Sequence, residues 1–323
     1  MLRVLPWPQS PGHSSPDLSR GCVTTPRDQP QRDNESAAAG APPQQPPAPP
    51  SPNPQPDQAG LLSSPLLTHA GFRHAFFTRH GGVSAGPYRS LNFSYAATDS
   101  EANVRQNLAR AGVALGVPAT RLYFLSQVHG VEVRTLHGNE DREQVLFEQG
   151  DAVVSLDPTL ACGVRTADCV PILIADRTSG GVGAIHAGWR GTVSGVVAQA
   201  VSALRELIGA PGDLIAAIGP HISARAFEVS EQVAAELAAC SKLPGVVQRA
   251  ELASDGRVVQ PYPKPHVDLR RIIRGQLLEL GLTGTAIDDV PGCTVLDAED
   301  FFSFRRDGAH SGRHLSAIVP RGS

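Results

Sequence analysis

Two histidines and one cysteine in this 323-residue chain have the types and the spacing of a catalytic metal site. His129 lies in SQVHG, Cys169 in RTADCVPIL and His186 in AIHAGWRG, each at the end of a segment predicted to be a β-strand. Strand ends that converge can bring one thiolate and two imidazoles to one point, and these ligands suit zinc. Three protein ligands leave a fourth position for water, whose pKa zinc lowers to about 7.

Asp168 in TADC adjoins the cysteine along the chain. Its side chain faces the same pocket if the chain turns there, and Pro171 favours such a turn. A carboxylate at this place can transfer a proton, or it can cap the turn. The sequence leaves both interpretations open.

Polar residues beside glycines predict an anion site. Arg79 and His80 in TRHGG precede a glycine pair that lets the backbone approach a ligand. Arg190 in HAGWRGT lies where a loop enters a helix, whose N-terminus favours anions. Guanidinium groups can hold phosphate with two parallel hydrogen bonds. Arg305 belongs to a later arginine cluster of the same kind, and Trp189 can stack on a base or fill the core.

These motifs resemble the YfiH-like, or laccase-domain, family of purine nucleoside phosphorylases, older members of which were described as multicopper polyphenol oxidases. The resemblance covers about residues 66–318, and TADC and HAGWRG in this order and spacing are its most specific signals. Further segments that carry it are TRHGGVSAGPYRSLNF, SQVHG, IGPHISARAFEV and CTVLDAEDFFSFRRDGAHSGR. One departure is His221 in IGPHIS, where such proteins more often carry a small or sulfur-containing residue.

The resemblance implies a zinc enzyme of purine nucleoside metabolism. Its activities would be phosphorolysis of adenosine, inosine, guanosine and methylthioadenosine, together with hydrolytic deamination of adenosine. Its partners would be small molecules, a nucleoside and phosphate, and its oligomeric state stays open. The site residues that the resemblance implies are the metal ligands His129, Cys169 and His186, the catalytic residues Asp168 and Arg190, and the substrate-binding or phosphate-binding residues Arg79, His80, Trp189 and Arg305.

Two other enzymatic functions stay open. Cys169 can act as a nucleophile, with His129 or His186 as its base, in a metal-free cysteine hydrolase. Such an enzyme would act on a peptidoglycan precursor, a role also proposed for bacterial members of this family. A copper polyphenol oxidase would need copper instead, but none of the eleven histidines forms the paired His-x-His motifs of multicopper oxidases.

The first sixty residues differ in composition from the rest. They hold 15 of the 28 prolines, mixed with Ser, Gln and Ala, and cannot bury enough apolar surface to offset the entropy of ordering. We therefore expect a disordered, Pro-rich tail at residues 1–60 and a catalytic domain at residues 61–323. Prolines at positions 6, 8 and 11 interrupt any apolar core of a signal peptide.

Charge and cysteine content exclude several classes of protein. The formal net charge of −3 and the pI of about 6.4 predict no general attraction to nucleic acid or membranes. No apolar run approaches the roughly 20 residues of a membrane span. The five cysteines are scattered, which is typical of a reducing, cytoplasmic location rather than a disulfide framework.

Short β-branched and aromatic segments must position these residues. Strands are predicted at FRHAFFTR, LYFLSQV, DAVVS, CGVRTA, VPILIAD, GVGAIHA and LIAAIG. Helices are predicted at ANVRQNLARAGVALG, at residues 192–208, at VSEQVAAELAAC and at DLRRIIRGQLLELG, where Asp268 is the N-cap. Because strands and helices do not alternate strictly, we predict the α/β class, as a layered α-β-β-α-type sandwich with mixed sheets and a single domain after the tail.

Overall fold

The structure, a computed structural model, describes residues 60–95, 99–252 and 256–322. Apart from Gly60, the tail predicted at residues 1–60 lies outside the described residues. Within them the chain forms thirteen strands and eight helices. The strands are β1 (Leu61–Leu62), β2 (His74–Phe77), β3 (Leu122–Tyr123), β4 (Val133–Leu136), β5 (Ala152–Ser155), β6 (Ala161–Thr166), β7 (Val170–Asp176), β8 (Val182–Ala187), β9 (Leu214–Ile218), β10 (Val247–Leu252), β11 (Val258–Val267), β12 (Ile287–Asp289) and β13 (His314–Ile318). The helices are α1 (Pro65–His69), α2 (Glu101–Leu115), α3 (Arg142–Val145), α4 (Trp189–Ser194), α5 (Val196–Ile208), α6 (Glu231–Ala239), α7 (Leu269–Glu279) and α8 (Phe304–Asp307).

Two mixed sheets and one hairpin organise these strands. A five-stranded sheet has the order β1-β2-β13-β6-β3, in which β3 runs parallel to β6 and the other neighbours are antiparallel. A six-stranded sheet has the order β12-β9-β7-β8-β5-β4, with parallel pairs at its two edges. Strands β10 and β11 form a separate antiparallel pair.

The two larger sheets pack face to face between helical layers. Strand β6 contacts β8, and β13 contacts both β7 and β8. Helix α2 lies on β2 of the five-stranded sheet, whereas α5 lies on β4, β5 and β8 of the six-stranded sheet and packs against α7. This arrangement is an α-β-β-α sandwich with mixed sheets and confirms the predicted fold class.

The sequences of the central strands are as apolar as their burial requires. Strands β7, β8 and β9 are buried along their whole length. Strands covered on both faces need nearly continuous apolar sequence, and VPILIAD and LIAAI provide it. In β8, by contrast, the sequence VGAIHA contains a buried His186, and antiparallel pairing sets this histidine opposite Pro171 of β7.

Some predicted elements differ from the observed ones. The predicted strand LYFLSQV is reduced to β3, and farther along only Ser126 makes an isolated bridge to Gln149 among the described residues. The helix predicted at residues 192–208 is two helices, α4 and α5, because Gly195 adopts a left-handed φ of 90° that ends α4. The other three predicted helices are confirmed as α2, α6 and α7, and Asp268 caps α7 by accepting a hydrogen bond from the backbone of Arg271.

Within the described part of the chain, no helix combines the length and the apolar character needed to cross a membrane. The four cysteines located there are all free thiols: Cys162, Cys169, Cys240 and Cys293.

Candidate metal centre

His129, Cys169 and His186 converge on one point. Their ligand atoms all lie within 4.8 Å of one another, and Sγ of Cys169 is 3.7 Å from Nε2 of His129. The two imidazole rings meet edge to face, with centroids 4.9 Å apart. A tetrahedral zinc ion with ordinary bond lengths sets its N and S ligands roughly 3.3–3.7 Å apart. The donor set therefore fits a metal after a small contraction.

Strand pairing and one tight turn bring the three ligands together. Because Val170 of β7 pairs with Ala187 of β8, Cys169, which immediately precedes β7, lies beside His186 near the end of β8. His129 comes from the loop between β3 and β4, where it adopts a left-handed φ of 61°. This backbone conformation is uncommon for a residue other than glycine and marks a constrained position.

Asp151, at the start of the β5 segment, fixes two of the three ligands. Its Oδ1 lies 2.7 Å from Nδ1 of His186, which leaves Nε2 of that ring free to face the centre. The same carboxylate accepts hydrogen bonds from the backbone N–H groups of Val128, His129 and Gly130, at 3.3, 3.0 and 2.6 Å. Burial alone would raise the pKa of Asp151, but these hydrogen bonds and the charge of His186 hold it below its usual value.

The sequence prediction missed Asp151. The signal was present in GDAVVS, where an acidic residue enters a strand that is otherwise apolar. An acidic residue that is 1% exposed must find partners for its oxygens, and here those partners are the metal-ligand segment and its neighbouring histidine.

Electrostatics within the cluster favour the metal-binding form of Cys169. Burial would raise the pKa of this thiol, but the charge of His186 and a hydrogen bond with His129 outweigh burial, so the pKa is lowered. Burial would lower the pKa of His186, but the Cys169 thiolate and Asp151 outweigh it, so that pKa is raised. The thiolate is the nucleophilic form of cysteine and the form that binds metals.

Position 188 in HAGWRG requires a glycine because there is no room for a Cβ atom, and not because of the backbone angles. Its φ of −72° is ordinary for any residue. A Cβ at this position would lie 2.6 Å from Cδ2 of His129 and 3.2 Å from Sγ of Cys169. The glycine therefore lets the start of α4 approach two of the candidate ligands.

The chain turns at Asp168. Such a turn is the condition that the sequence prediction set for this side chain to face the pocket. Its φ is 101°, and its carbonyl accepts a hydrogen bond from the backbone of Ile222. One carboxylate oxygen accepts from the hydroxyl of Thr294 at 2.7 Å, and the other from the backbone N–H of Arg305 at 2.6 Å. The carboxylate thus joins the segment of Cys169 to the start of α8.

Comparison with known proteins places the chain in a family. The sequence profile described as multi-copper polyphenol oxidoreductase laccase matches residues 73–321. The chain belongs to this YfiH-like, laccase-domain family. It is 39% identical over 264 residues to a purine nucleoside phosphorylase from Deinococcus radiodurans, covering 81% of this chain and 93% of the relative. It is 38% identical over 246 residues to one from Mycobacterium tuberculosis, covering 76% and 91%.

Solved structures of the YfiH-like family share the fold. YlmD from Geobacillus stearothermophilus superposes with a TM-score of 0.72 at 30% identity, covering 82% of this chain and 98% of YlmD. YfiH from Bacillus licheniformis gives a TM-score of 0.71 at 25% identity, with the same coverage of both chains. The recognition of this family from TADC and HAGWRG is therefore confirmed.

Two of the predicted anion-binding residues in this YfiH-like chain already have protein partners. Nε of Arg79 donates to the carbonyl of Arg89 at 2.8 Å, and its Nη1 donates to the carbonyl of Ala298 at 2.9 Å. Nε2 of His80 lies 3.0 Å from the carboxylate of Asp300 in an exposed pair. Both residues belong to the segment that leaves β2.

The other two predicted arginines lie on short helices. Arg190 is exposed at the second position of α4, and its guanidinium lies 4.4 Å from the ring centre of Trp189. Arg305 uses Nη1 to hold the carbonyls of Ala226 and Glu228, at 3.3 and 3.0 Å. Helix α4 has six residues, which is too short for a strong helix dipole at Arg190.

His221, expected from the sequence to be a departure from the usual pattern of the YfiH-like family, is a buried residue. It is 2% exposed, and its Nδ1 lies 2.7 Å from the carbonyl of Gly219. Burial lowers its pKa to about 4, so the ring is neutral near pH 7. It is not a member of the His–Cys–His cluster.

Proposed function

We propose that this protein is a zinc-dependent purine nucleoside phosphorylase that also deaminates adenosine. The observation that carries the proposal is the cluster of His129, Cys169 and His186, whose ring and backbone orientation Asp151 fixes. The names of relatives that share 38–39% identity over most of their length support the phosphorylase activity. The zinc ion and the deaminase activity are inferences from the donor set and from the resemblance of the motifs.

Each step of phosphorolysis has a candidate residue. A metal held by the three ligands would supply an activated water or polarise the substrate at neutral pH. Phosphate would be held by guanidinium groups, for which the sequence predicts Arg79, Arg190 and Arg305 as candidates, with His80 next to Arg79 along the chain. The departing purine needs a proton. Asp168, next to Cys169 along the chain, is the proposed residue that transfers it.

Deamination of adenosine needs other reacting atoms in the same pocket. Water must add to C6 of the purine, and the departing amine must take up a proton. Asp168 can serve this second proton transfer as well, whereas the ring must bind in a second pose that brings C6 to the metal. Trp189, which is partly exposed beside its stacked arginine, offers a face on which a purine can stack.

Metal content and product analysis test the proposal together. We expect about one zinc ion per chain in protein made without added copper, since three protein ligands with an open position are typical of a catalytic zinc site. Inosine should release its base only when phosphate is present, with ribose 1-phosphate as the second product. Adenosine should also give inosine without phosphate. Base release that ignores phosphate would replace the phosphorylase by a hydrolase.

Substitution of two different cysteines distinguishes loss of the metal site from a general effect of removing a thiol. Cys169→Ser should lose the metal and both activities, because a hydroxyl is a poor substitute for a thiolate ligand. Cys240→Ser is the matched control, since Cys240 is half-buried outside the cluster. Retention of metal and activity by Cys169→Ser would show that the ligand set is wrong.

A metal-free cysteine hydrolase is the second candidate function. The feature that favours it is the stabilised thiolate of Cys169 beside two imidazoles, which is the arrangement of an activated nucleophile. Protein that contains no metal as purified, and whose Cys169 reacts rapidly with iodoacetamide, would support it. Two imidazoles and a thiolate also bind copper, and an intense visible absorption band on adding Cu(II) would reveal such a site.

A further inference from the structure

Two arginines, one on β6 and one just before β13, lie beside the metal centre without a carboxylate partner among the described residues. Arg165 belongs to β6, and Arg313 immediately precedes β13. The antiparallel register pairs Arg165 with Leu315 and Thr166 with His314, which sets the two arginines close together. Among the described residues, neither guanidinium forms an ion pair with Asp or Glu.

Arg165 is weakly satisfied by the protein. Its Nη1 and Nη2 lie 3.4 Å from the carbonyl oxygens of Phe93 and Leu125, which is long for a charged donor. Its Nε is buried and has no hydrogen-bond partner within the described part of the chain. The guanidinium also lies 4.4 Å from the ring centre of Phe124. A buried cation with incomplete hydrogen bonds is unfavourable unless something else compensates it.

Arg313 has N–H groups that find no acceptor in the described part of the chain. Its Nη1 donates to the carbonyls of Ser311 and Gly312, whereas its Nε and Nη2 contact no acceptor among residues 60–95, 99–252 and 256–322. The backbone on either side is held firmly, because its N–H donates to Asn92 and its carbonyl accepts from Phe93. The guanidinium lies 5.5 Å from the ring centre of Phe304.

Strand register and the start of α8 place this pair beside the metal centre. The register that sets His314 opposite Thr166 brings Arg313 beside the segment that leads from β6 into Asp168 and Cys169. Its guanidinium lies over the ring of Phe304, and the next residue, Arg305, donates its backbone N–H to Asp168. Burial, together with the positive charge of Arg313, lowers the pKa of Arg165 to about 10. Two positive charges held side by side repel each other, and an anion that binds both relieves that repulsion.

We propose that Arg165 and Arg313 bind the phosphate that attacks the nucleoside. This inference rests on the proposed phosphorylase function and assigns its phosphate site. A phosphate oxygen forms a bond to the anomeric carbon of the ribose, and the bond from that carbon to the purine nitrogen breaks. The purine leaves with the bonding electron pair and takes up one proton, so that ribose 1-phosphate and free base are the products.

The other arginine candidates are less suited to this role. Arg79 directs two of its donors at backbone carbonyls, and Arg190 lies exposed over an indole ring. Arg305 likewise holds two carbonyls with one nitrogen. Arg313, in contrast, combines two donor groups that have no acceptor among the described residues with a position beside the segment that carries Asp168 and Cys169. Partial burial would also strengthen its hydrogen bonds to a dianion.

Phosphate binding and phosphate kinetics in full-length, metal-loaded protein test this proposal. Inorganic phosphate should raise the Tm of the wild type, because it binds only the folded state. Arg313→Gln should abolish that rise and increase the KM for phosphate roughly 30- to 150-fold, as for the loss of a charged bidentate contact. The KM for inosine should change less than about threefold. Arg313→Lys should restore part of the phosphate affinity because it keeps the charge.

Arg321→Gln is the matched control. Arg321 also holds backbone carbonyls and lies over an aromatic ring, that of Phe72 at 5.2 Å. It follows Arg313 by eight residues along and beyond β13, roughly 25 Å in an extended chain, so it should leave the phosphate KM unchanged. Arg165→Gln should act like Arg313→Gln, and Arg313→Lys keeps the test decisive if Arg165→Gln fails to fold.

The outcomes separate this proposal from the proposed function. If phosphate raises the Tm of the wild type but not of Arg313→Gln, the anion site is confirmed, even in a protein that performs no phosphorolysis. Equal rises in Tm with phosphate in the wild type, in Arg313→Gln and in Arg165→Gln would overturn the assignment. Phosphorolysis by these variants with an unchanged KM for phosphate would overturn it as well. A wild type that phosphate does not stabilise would overturn it too.

Discussion

Nδ1 of His186 lies 2.7 Å from Oδ1 of Asp151, and the same carboxylate accepts three backbone hydrogen bonds from residues 128–130. One buried side chain therefore positions two ligands by different means. It orients the ring of His186, and it anchors the backbone that carries His129. The third ligand, Cys169, needs no such support because strand pairing already holds it beside His186.

Asp151→Asn should weaken metal binding about 10- to 100-fold, the usual effect of losing the carboxylate behind a histidine ligand. An amide can still accept one hydrogen bond but carries no charge to stabilise the ring and the three N–H groups. Titration of metal-free protein against a competing chelator measures the affinity. Asp176→Asn is the control, because Asp176 is also 1% exposed and holds backbone N–H groups, but at the far end of β7. It should destabilise the fold and leave the metal affinity unchanged. Equal metal loss in both variants would mean that Asp151 only supports the fold.

Gly188→Ala should impair the metal centre with little effect on α4. The added methyl group would collide with His129 and Cys169. Gly188 is the N-cap of α4, where alanine is less favourable than glycine, so the helix itself should lose no more than about 1 kcal/mol. We expect a lower metal content and a shifted spectrum of a bound cobalt probe. Gly195→Ala offers a contrast, since no heavy atom lies within 4 Å of its Cβ position and its φ of 90° penalises alanine. That variant should lose stability by about 1 kcal/mol and keep its metal affinity. A fully loaded Gly188→Ala protein would show that the ligands can move aside.

The strands that are buried on both faces could be predicted from the sequence, because their residues are almost all apolar. VPILIAD and LIAAIG are almost entirely apolar, which is typical of a strand that is covered on both faces. His129, Cys169 and His186 were recognised by the motifs in which they lie. The hairpin of β10 and β11 was not predicted, because β11 carries prolines and exposed side chains that give no periodic signal. Such a strand is tolerated because both strands of a two-stranded sheet are edges.

The remaining misses all depend on partners distant in sequence. Asp151 acquires its role only when β5 pairs with β8, and Arg165 meets Arg313 only through the register of β6 with β13. GDAVVS marks Asp151 as unusual, but nothing local identifies the distant partner in either contact. The break of the helix predicted at residues 192–208 was local, but Gly195 follows an apolar periodicity that continues through it. A single glycine in a helical pattern does not by itself reveal a left-handed conformation.

His221 should make the protein less stable in mild acid. Its folded pKa is lowered to about 4 by burial, whereas an unfolded histidine has a pKa of about 6.5. Between these values the unfolded chain binds the extra proton, so the free energy of unfolding falls as the pH decreases. From pH 7 to pH 5 the loss should be about 2 kcal/mol for this residue. Urea unfolding of metal-free wild type and His221→Gln at both pH values measures it. The variant should show a smaller difference between the two, and an equal difference would contradict the neutral state of the buried ring.

Asp168→Asn distinguishes proton transfer from turn capping. Asparagine tolerates the φ of 101° and can still accept a hydrogen bond from Thr294 or Arg305, so the turn should survive. It cannot donate a proton as an acid does, and phosphorolysis of inosine should slow by about 10²- to 10⁴-fold. A nucleoside whose base leaves without protonation, such as 7-methylguanosine, should be cleaved by the variant at close to the wild-type rate. Metal content and Tm should stay near those of the wild type. Asp168→Ala is the contrast, since it removes the capping bonds as well and should lower stability. If Asp168→Asn slows both nucleosides equally, the carboxylate positions Cys169 and α8 and does not transfer the proton.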